Sequence, residues 1–146
     1  MALTKIQTAG ITDDAITSAK TTALPKAGGT MTGTVNMADQ ILQRPELKDY
    51  SETKIGVAAA ATVDLDMTSA NVFTVTADQN TTFTFSNPSP SGSACSFTLV
   101  WTQDSSDRTI TWPNSVKWAG GSAPDVTSGS GKIDIYTFFT LDAGTI

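Results

Sequence analysis

The chain has 146 residues, 39% hydrophobic and only 16% charged, with a net charge of −5 and a pI near 4.4, room for one compact domain or a small domain with an extended arm. Its nine Lys and Arg are scattered, which argues against a nucleic-acid partner, because phosphate binding needs clustered cations. It has neither an 18-residue apolar run for a membrane helix nor, in its opening Met1-Ala2-Leu3-Thr4-Lys5, the apolar centre of a signal peptide, so assembly in the cytoplasm where it is made is expected.

Residues 1–56 read as an arm without a core of their own. Thr12-Asp13-Asp14 offers a cap and acidic first turn, Lys20 suits a last turn, and Ile11, Ala15, Ile16 and Ala19 share a side, so a short helix is predicted there. Two turns alone are marginal in water and need a packing partner. Residues 24–35 follow, with Gly28, Gly29 and Gly33 marking a turn-rich, closely approached segment. A second helix is predicted over residues 45–54, with Pro45 at its first position and Leu47, Tyr50 and Ser51 on one face. So little apolar surface must be ordered by sister copies or by a docking surface.

From Thr62 onward the pattern turns to period two. Phe73 and Val75 alternate with Thr74 and Thr76, and Phe83 and Phe85 with Thr82 and Thr84. Folding the chain about Asp78-Gln79-Asn80 predicts a hairpin pairing Ala77 with Thr81, Val75 with Phe83 and Phe73 with Phe85. A second hairpin about Ser105-Ser106 would set Trp101 opposite Ile110 and Leu99 opposite Trp112, with Phe97 on the same face. A last strand, residues 132–141, carries Ile133, Ile135, Phe139 and Leu141 on one side and Tyr136 and Phe138 on the other, so both faces are expected to be covered. The fold expected is mainly β: an extended N-terminal arm with short helices (residues 1–56), then an antiparallel, jelly-roll-like β-sandwich (residues 57–146).

Chemistry has little to work with. The absence of histidine removes Ser-His-Asp and Cys-His sites and the usual metal ligand. Cys95, alone in an apolar run, cannot form an internal disulfide and reads as a small buried hydrophobe. Asp64 and Asp66 alternate on one short strand; they could serve as a glycosidase pair, but a solvated strand face is the plainer reading. Asp104 and Asp107 read as turn caps. Trp101 and Trp112 fall on the apolar face of their hairpin. Trp118, before Gly120 and Gly121, is either a core plug or part of a binding surface, and is the surface-binding candidate.

The segment Ala27-Gly28-Gly29-Thr30-Met31-Thr32-Gly33-Thr34-Val35 resembles the GGTMTG element of phage tail fibres, and residues 10–20 resemble the ITDxAITxAK element that precedes it. Residues 43–53 are similar to a linker of the same proteins, and residues 108–113, 116–118, 132–136 and 141–144 to their terminal β-domain. The resemblance implies a non-enzymatic virion protein: a homotrimer, anchored to tail or capsid proteins by its N-terminal arm, with the β-domain outward. Leu47, Tyr50 and Met31 are then the trimer-interface candidates. No catalytic residue, cofactor or metal is implied, and a host surface glycan is a candidate ligand. Relatives continue past the Leu141-Asp142-Ala143-Gly144 element, so either a neighbour closes the last strand or the theme is shortened. Few residues remain for a long shaft, which keeps a capsid decoration or head-fibre role as the alternative.

Overall fold

The computed structural model of the chain describes residues 33–37 and 40–144. Two units divide it, Met1–Glu46 and Leu47–Ile146. The described residues of the first unit are exposed and lack helix and strand. The helix predicted near residues 12–20 and Met31 lie outside the described residues, and of the GGTMTG element only Gly33 lies within them.

The helix predicted over residues 45–54 does not form. Residues 45–53 are exposed and irregular, and Arg44 and Asp49 hold φ of 53° and 55°. A left-handed residue in mid-segment ends any right-handed helix, and aspartate tolerates that conformation better than most residues. Leu47 and Tyr50 are 63% and 67% exposed.

The second unit is two facing sheets built from seven strands. These are β1 (Lys54–Val57), β2 (Thr62–Asp66), β3 (Val72–Thr76), β4 (Thr81–Ser86), β5 (Cys95–Thr102), β6 (Ile110–Thr111) and β7 (Ile133–Thr140). Odd strands form one sheet in the order β1-β3-β5-β7, and even strands the other in the order β2-β4-β6. The chain thus alternates between sheets, each pair of strands making one rung of a coil. Rung stacks on rung through parallel pairing, and only β7 runs antiparallel, against β5.

This corrects the expected antiparallel pairing and with it both predicted hairpins. Val75 pairs with Val57 and Trp101, not Phe83, and Phe83 pairs with Val63. Leu99 pairs with Phe73 and Tyr136 rather than with Trp112. The expected one-sidedness nevertheless holds, because alternation fixes which face a residue shows, not which strand lies beside it. The corners decide the neighbour. Residues 77–80 cross between the sheets instead of folding back, and corners of successive rungs bond to one another. Thr82 N donates to the Ala61 carbonyl at 2.9 Å, Thr81 N to the Thr109 carbonyl at 3.0 Å and Ala77 N to the Thr102 carbonyl at 2.8 Å. Thr81, 2% exposed, adds a bond from its hydroxyl to the Ala60 carbonyl at 2.9 Å. A buried hydroxyl satisfied in this way locks the corner at little desolvation cost.

Between the sheets lie Val63, Leu65, Phe73, Val75, Phe83, Phe97, Leu99, Trp101 and Tyr136. Parallel stacking puts apolar residues in continuous rows, such as Ile55–Phe73–Leu99 and Val63–Phe83. Each large side chain buried contributes about 1.5–3 kcal/mol. Edge-to-face rings join the sheets: Phe83 lies 5.9 Å from Trp101, and Phe85 lies 4.9 Å from Phe97. β7 covers the core with Tyr136 and Phe138, but its other face stays open. Ile133, Ile135 and Phe139, with Leu141 just beyond, are 58%, 68%, 55% and 60% exposed. Among the described residues, then, only one face of β7 is covered.

Candidate functional site

Four groups of sequence-marked residues can be placed: the tryptophans, two carboxylate pairs and Cys95. Trp101 is fully buried beside Phe83. Trp112 stacks on Phe83 at 5.6 Å and meets Tyr136 at 4.8 Å. Trp118, half-buried, packs edge-on against Trp112 at 5.3 Å and Phe138 at 5.9 Å. The same indole lines a cleft of about 360 Å³ whose apolar lining includes Met67, Phe85, Phe97, Val116, Phe138 and Phe139. Trp118 therefore does two things: it extends the aromatic cluster beyond the short strand β6, and it forms part of an open concavity. Lys117, whose Nζ donates to the Asn114 carbonyl at 3.2 Å, also lines the cleft. Gly144 lines it too, in a left-handed conformation (φ 82°), and a Cβ there would stand 3.2 Å from Pro88 Cγ. Only glycine fits both the backbone and the contact.

The carboxylates of β2 are hydrogen-bond acceptors on the outer face of the even sheet. Asp64 accepts from the hydroxyls of Thr84, at 2.8 Å, and Ser86. Asp66 Oδ1 accepts from Asn87 Nδ2 at 3.0 Å and from both the amide and the hydroxyl of Thr68, at 2.9 and 2.8 Å. The Asn87 bond, then those from Thr68, holds the Asp66 carboxyl below its ordinary range. A glycosidase acid needs the opposite, a carboxyl kept protonated by an apolar surround. This arrangement is a polar ladder tying β2 to β4.

Asp104 and Asp107 anchor the loop after β5. Asp104 accepts from Ser106 N at 2.7 Å and pairs with Arg108 Nε at 2.8 Å. Asp107 reaches across to the Gly129 amide. Sequence reading missed the residue at the centre of this loop, Gln103, only 2% exposed. Its amide accepts from Arg108 N at 2.9 Å and donates to the Arg108 carbonyl at 2.9 Å, replacing a ladder pair where the chain bulges away. A lone glutamine ending an apolar strand was the available signal. Cys95 is half-buried and accepts from Ser89 N at 3.4 Å. Among the described residues no group of His, Cys, Asp or Glu could hold a metal ion.

Residues 61–141 match the family described as "Putative phage tail fibre C-terminal domain", more than half of the 146 residues. The chain belongs to that family. The match runs from the residue before β2 to the residue after β7, so it covers every strand but β1. It makes this a bacteriophage protein of the tail-fibre structural type and a component of the virion, in keeping with a β-rich unit whose carboxylates serve as ladder acceptors. No curated protein and no solved structure matches the chain.

Proposed function

We propose that the chain is a non-enzymatic, homotrimeric tail-fibre-type appendage, anchored to the particle by its N-terminal arm and carrying the β-sandwich outward. The observation that carries this reading is the family match over residues 61–141. Trimerisation is supported by exposed apolar residues in the segment leading to β1: Ile41, Leu42, Leu47 and Tyr50 are 81%, 59%, 63% and 67% exposed in one chain. Apolar surface gathered in so short a stretch is stabilised by a partner. Leu47, Tyr50 and, by its sequence position, Met31 are the residues around which three arms would pack. Sedimentation analysis tests the assembly: the wild type is expected as a trimer and Tyr50→Asp as smaller species, and a monomeric wild type sinks the reading. Electron microscopy of virions with antibody against the β-domain tests the location. Label on tails is expected; label on the head would replace the tail fibre with a capsid decoration or head-fibre protein.

The Trp118 cleft favours a second property for the same appendage, contact with a host surface glycan. An aromatic wall with polar groups at hand suits the apolar face of a sugar ring, as small-ligand sites combine apolar lining with a few polar groups. Binding on a glycan array that disappears in Trp118→Ala, with far-UV circular dichroism unchanged, would support it. Binding undiminished in that variant removes the site.

A further inference from the structure

The odd-strand sheet has an outer face unlike the rest of the surface. β7 is its edge strand and carries Ile133, Ile135, Thr137 and Phe139 outward, continued by Leu141. The β5 residues opposite these are Thr102, Val100, Thr98 and Ser96, and on β3 Val72, Thr74 and Thr76 extend the same face. Across three strands this face holds no charge, and Lys54 on the far edge strand is the first one met. Four large side chains, each more than half exposed, offer on the order of 400 Å² of apolar surface, the size at which a patch on a monomer marks an interaction site. That is about half of the roughly 800 Å² each partner gives to a standard interface, and the Thr and Val rows beside it continue the face. Loss of charge from the centre is also the compositional mark of an interface core.

The edge itself points the same way. An exposed edge strand is usually short or carries Lys, Pro or a bulge, since otherwise it recruits another chain. β7 is eight residues long with no Lys, Pro or Gly, and its one charge, Asp134, is engaged by the amide and hydroxyl of Thr127 at 2.8 and 2.7 Å. The outward residues of the strand, Ile133, Ile135, Thr137 and Phe139, carry no charge.

We infer that the outer face of β7, centred on Ile135 and Phe139, is where the β-domains of sister copies pack against one another. The inference rests on the trimeric reading and adds to it a second contact, separate from the arm. A copy of the same chain is the occupant because the face is uncharged and apolar, so it complements itself without repulsion, and because its area suits a contact reinforced by a second one elsewhere.

Sedimentation velocity of the full chain tests it with Ile135→Glu, Phe139→Glu, Leu47→Asp and, on the opposite sheet, Thr82→Glu. The expected result is a trimeric wild type, trimer association weakened about 10-fold or more by either glutamate on β7, and no change for Thr82→Glu. Trimers of wild-type strength in both β7 variants overturn the inference; if Leu47→Asp dissociates those trimers, the trimeric reading stands without it. A wild type that is monomeric at every concentration removes both. Should the glutamates unfold the domain, Thr137→Cys in a Cys95→Ser background reports instead. Oxidation is expected to give a disulfide-linked pair of chains for Thr137→Cys and none for Thr82→Cys, and no linked pair for Thr137→Cys overturns the inference.

Discussion

The two outer faces of the sandwich solve the same problem in opposite ways. Both belong to strands with period-two alternation and threonine at outward positions. On the even sheet Thr84 and Ser86 donate to Asp64, and Thr68 in the turn after β2 donates to Asp66, so the face is held by charge-assisted hydrogen bonds open to water. On the odd sheet the carboxylates are absent and Val100, Ile135 and Phe139 stand where they would be. Backbone pattern alone does not separate a solvent face from a contact face; charge does.

Four substitutions sharpen that contrast, beginning with the layer both faces share. Phe83→Ala removes the ring that touches Trp101 and Trp112 across the core and is expected to cost about 3–5 kcal/mol, read from denaturant midpoints. Both faces should then unfold in one transition; separate transitions would show that the sheets are independently stable. Next, Tyr136→Phe deletes a hydroxyl that, like Trp101 Nε1, is buried and has no hydrogen-bond partner among the described residues. It is expected to raise stability by about 1 kcal/mol at neutral pH.

The same position supplies a pH test. Burial, and secondarily the charge of Asp134, pushes the Tyr136 hydroxyl up to about 12 from an ordinary 10.0. Folding therefore favours the neutral phenol. Its contribution is complete below pH 10 and lost as pH rises toward 12, so wild type should lose stability in that window more steeply than Tyr136→Phe. At the acid end, Asp66 is held low by Asn87 and then Thr68. Its contribution is present above the ordinary carboxyl value of 3.8 and lost as pH falls below it, so Asp66→Asn should show a shallower fall in melting temperature between pH 5 and 3. The smallest effect expected is from Thr82→Glu, an exposed change on a face already acidic, within about 0.5 kcal/mol by chemical denaturation.

Much of the β-unit could be read from the order of residues. The faces of Phe73, Val75, Phe83 and Leu99 follow from alternation, and the core tryptophan from its neighbours. What could not be read was partnership. A four-residue link between two alternating segments is compatible with a hairpin or a crossing, and the choice depends on corner bonds such as Thr81 to Ala60, between residues distant in sequence. The predicted helix over 45–54 failed for a different reason: Asp49 took a left-handed turn, and the end of the segment, Thr53 and Lys54, bonds to β3 as extended chain. At the candidate site, the aromatic character of Trp118 was visible from the start. The cleft was not, because Met67, Phe85 and Val116 come from three separate loops and strands.

Stacked rungs also govern how this domain comes into being. Among the described strands no two consecutive ones pair: Lys54 waits for Val72, and Thr81 for Ile110. No early two-stranded nucleus is available, so closure entropy is spent before any ladder forms, and high contact order makes folding slow. β7, the last of the described strands, pairs with β5 at the edge of the odd sheet. A chain lacking it would leave β5 as an open edge, ready to recruit another chain.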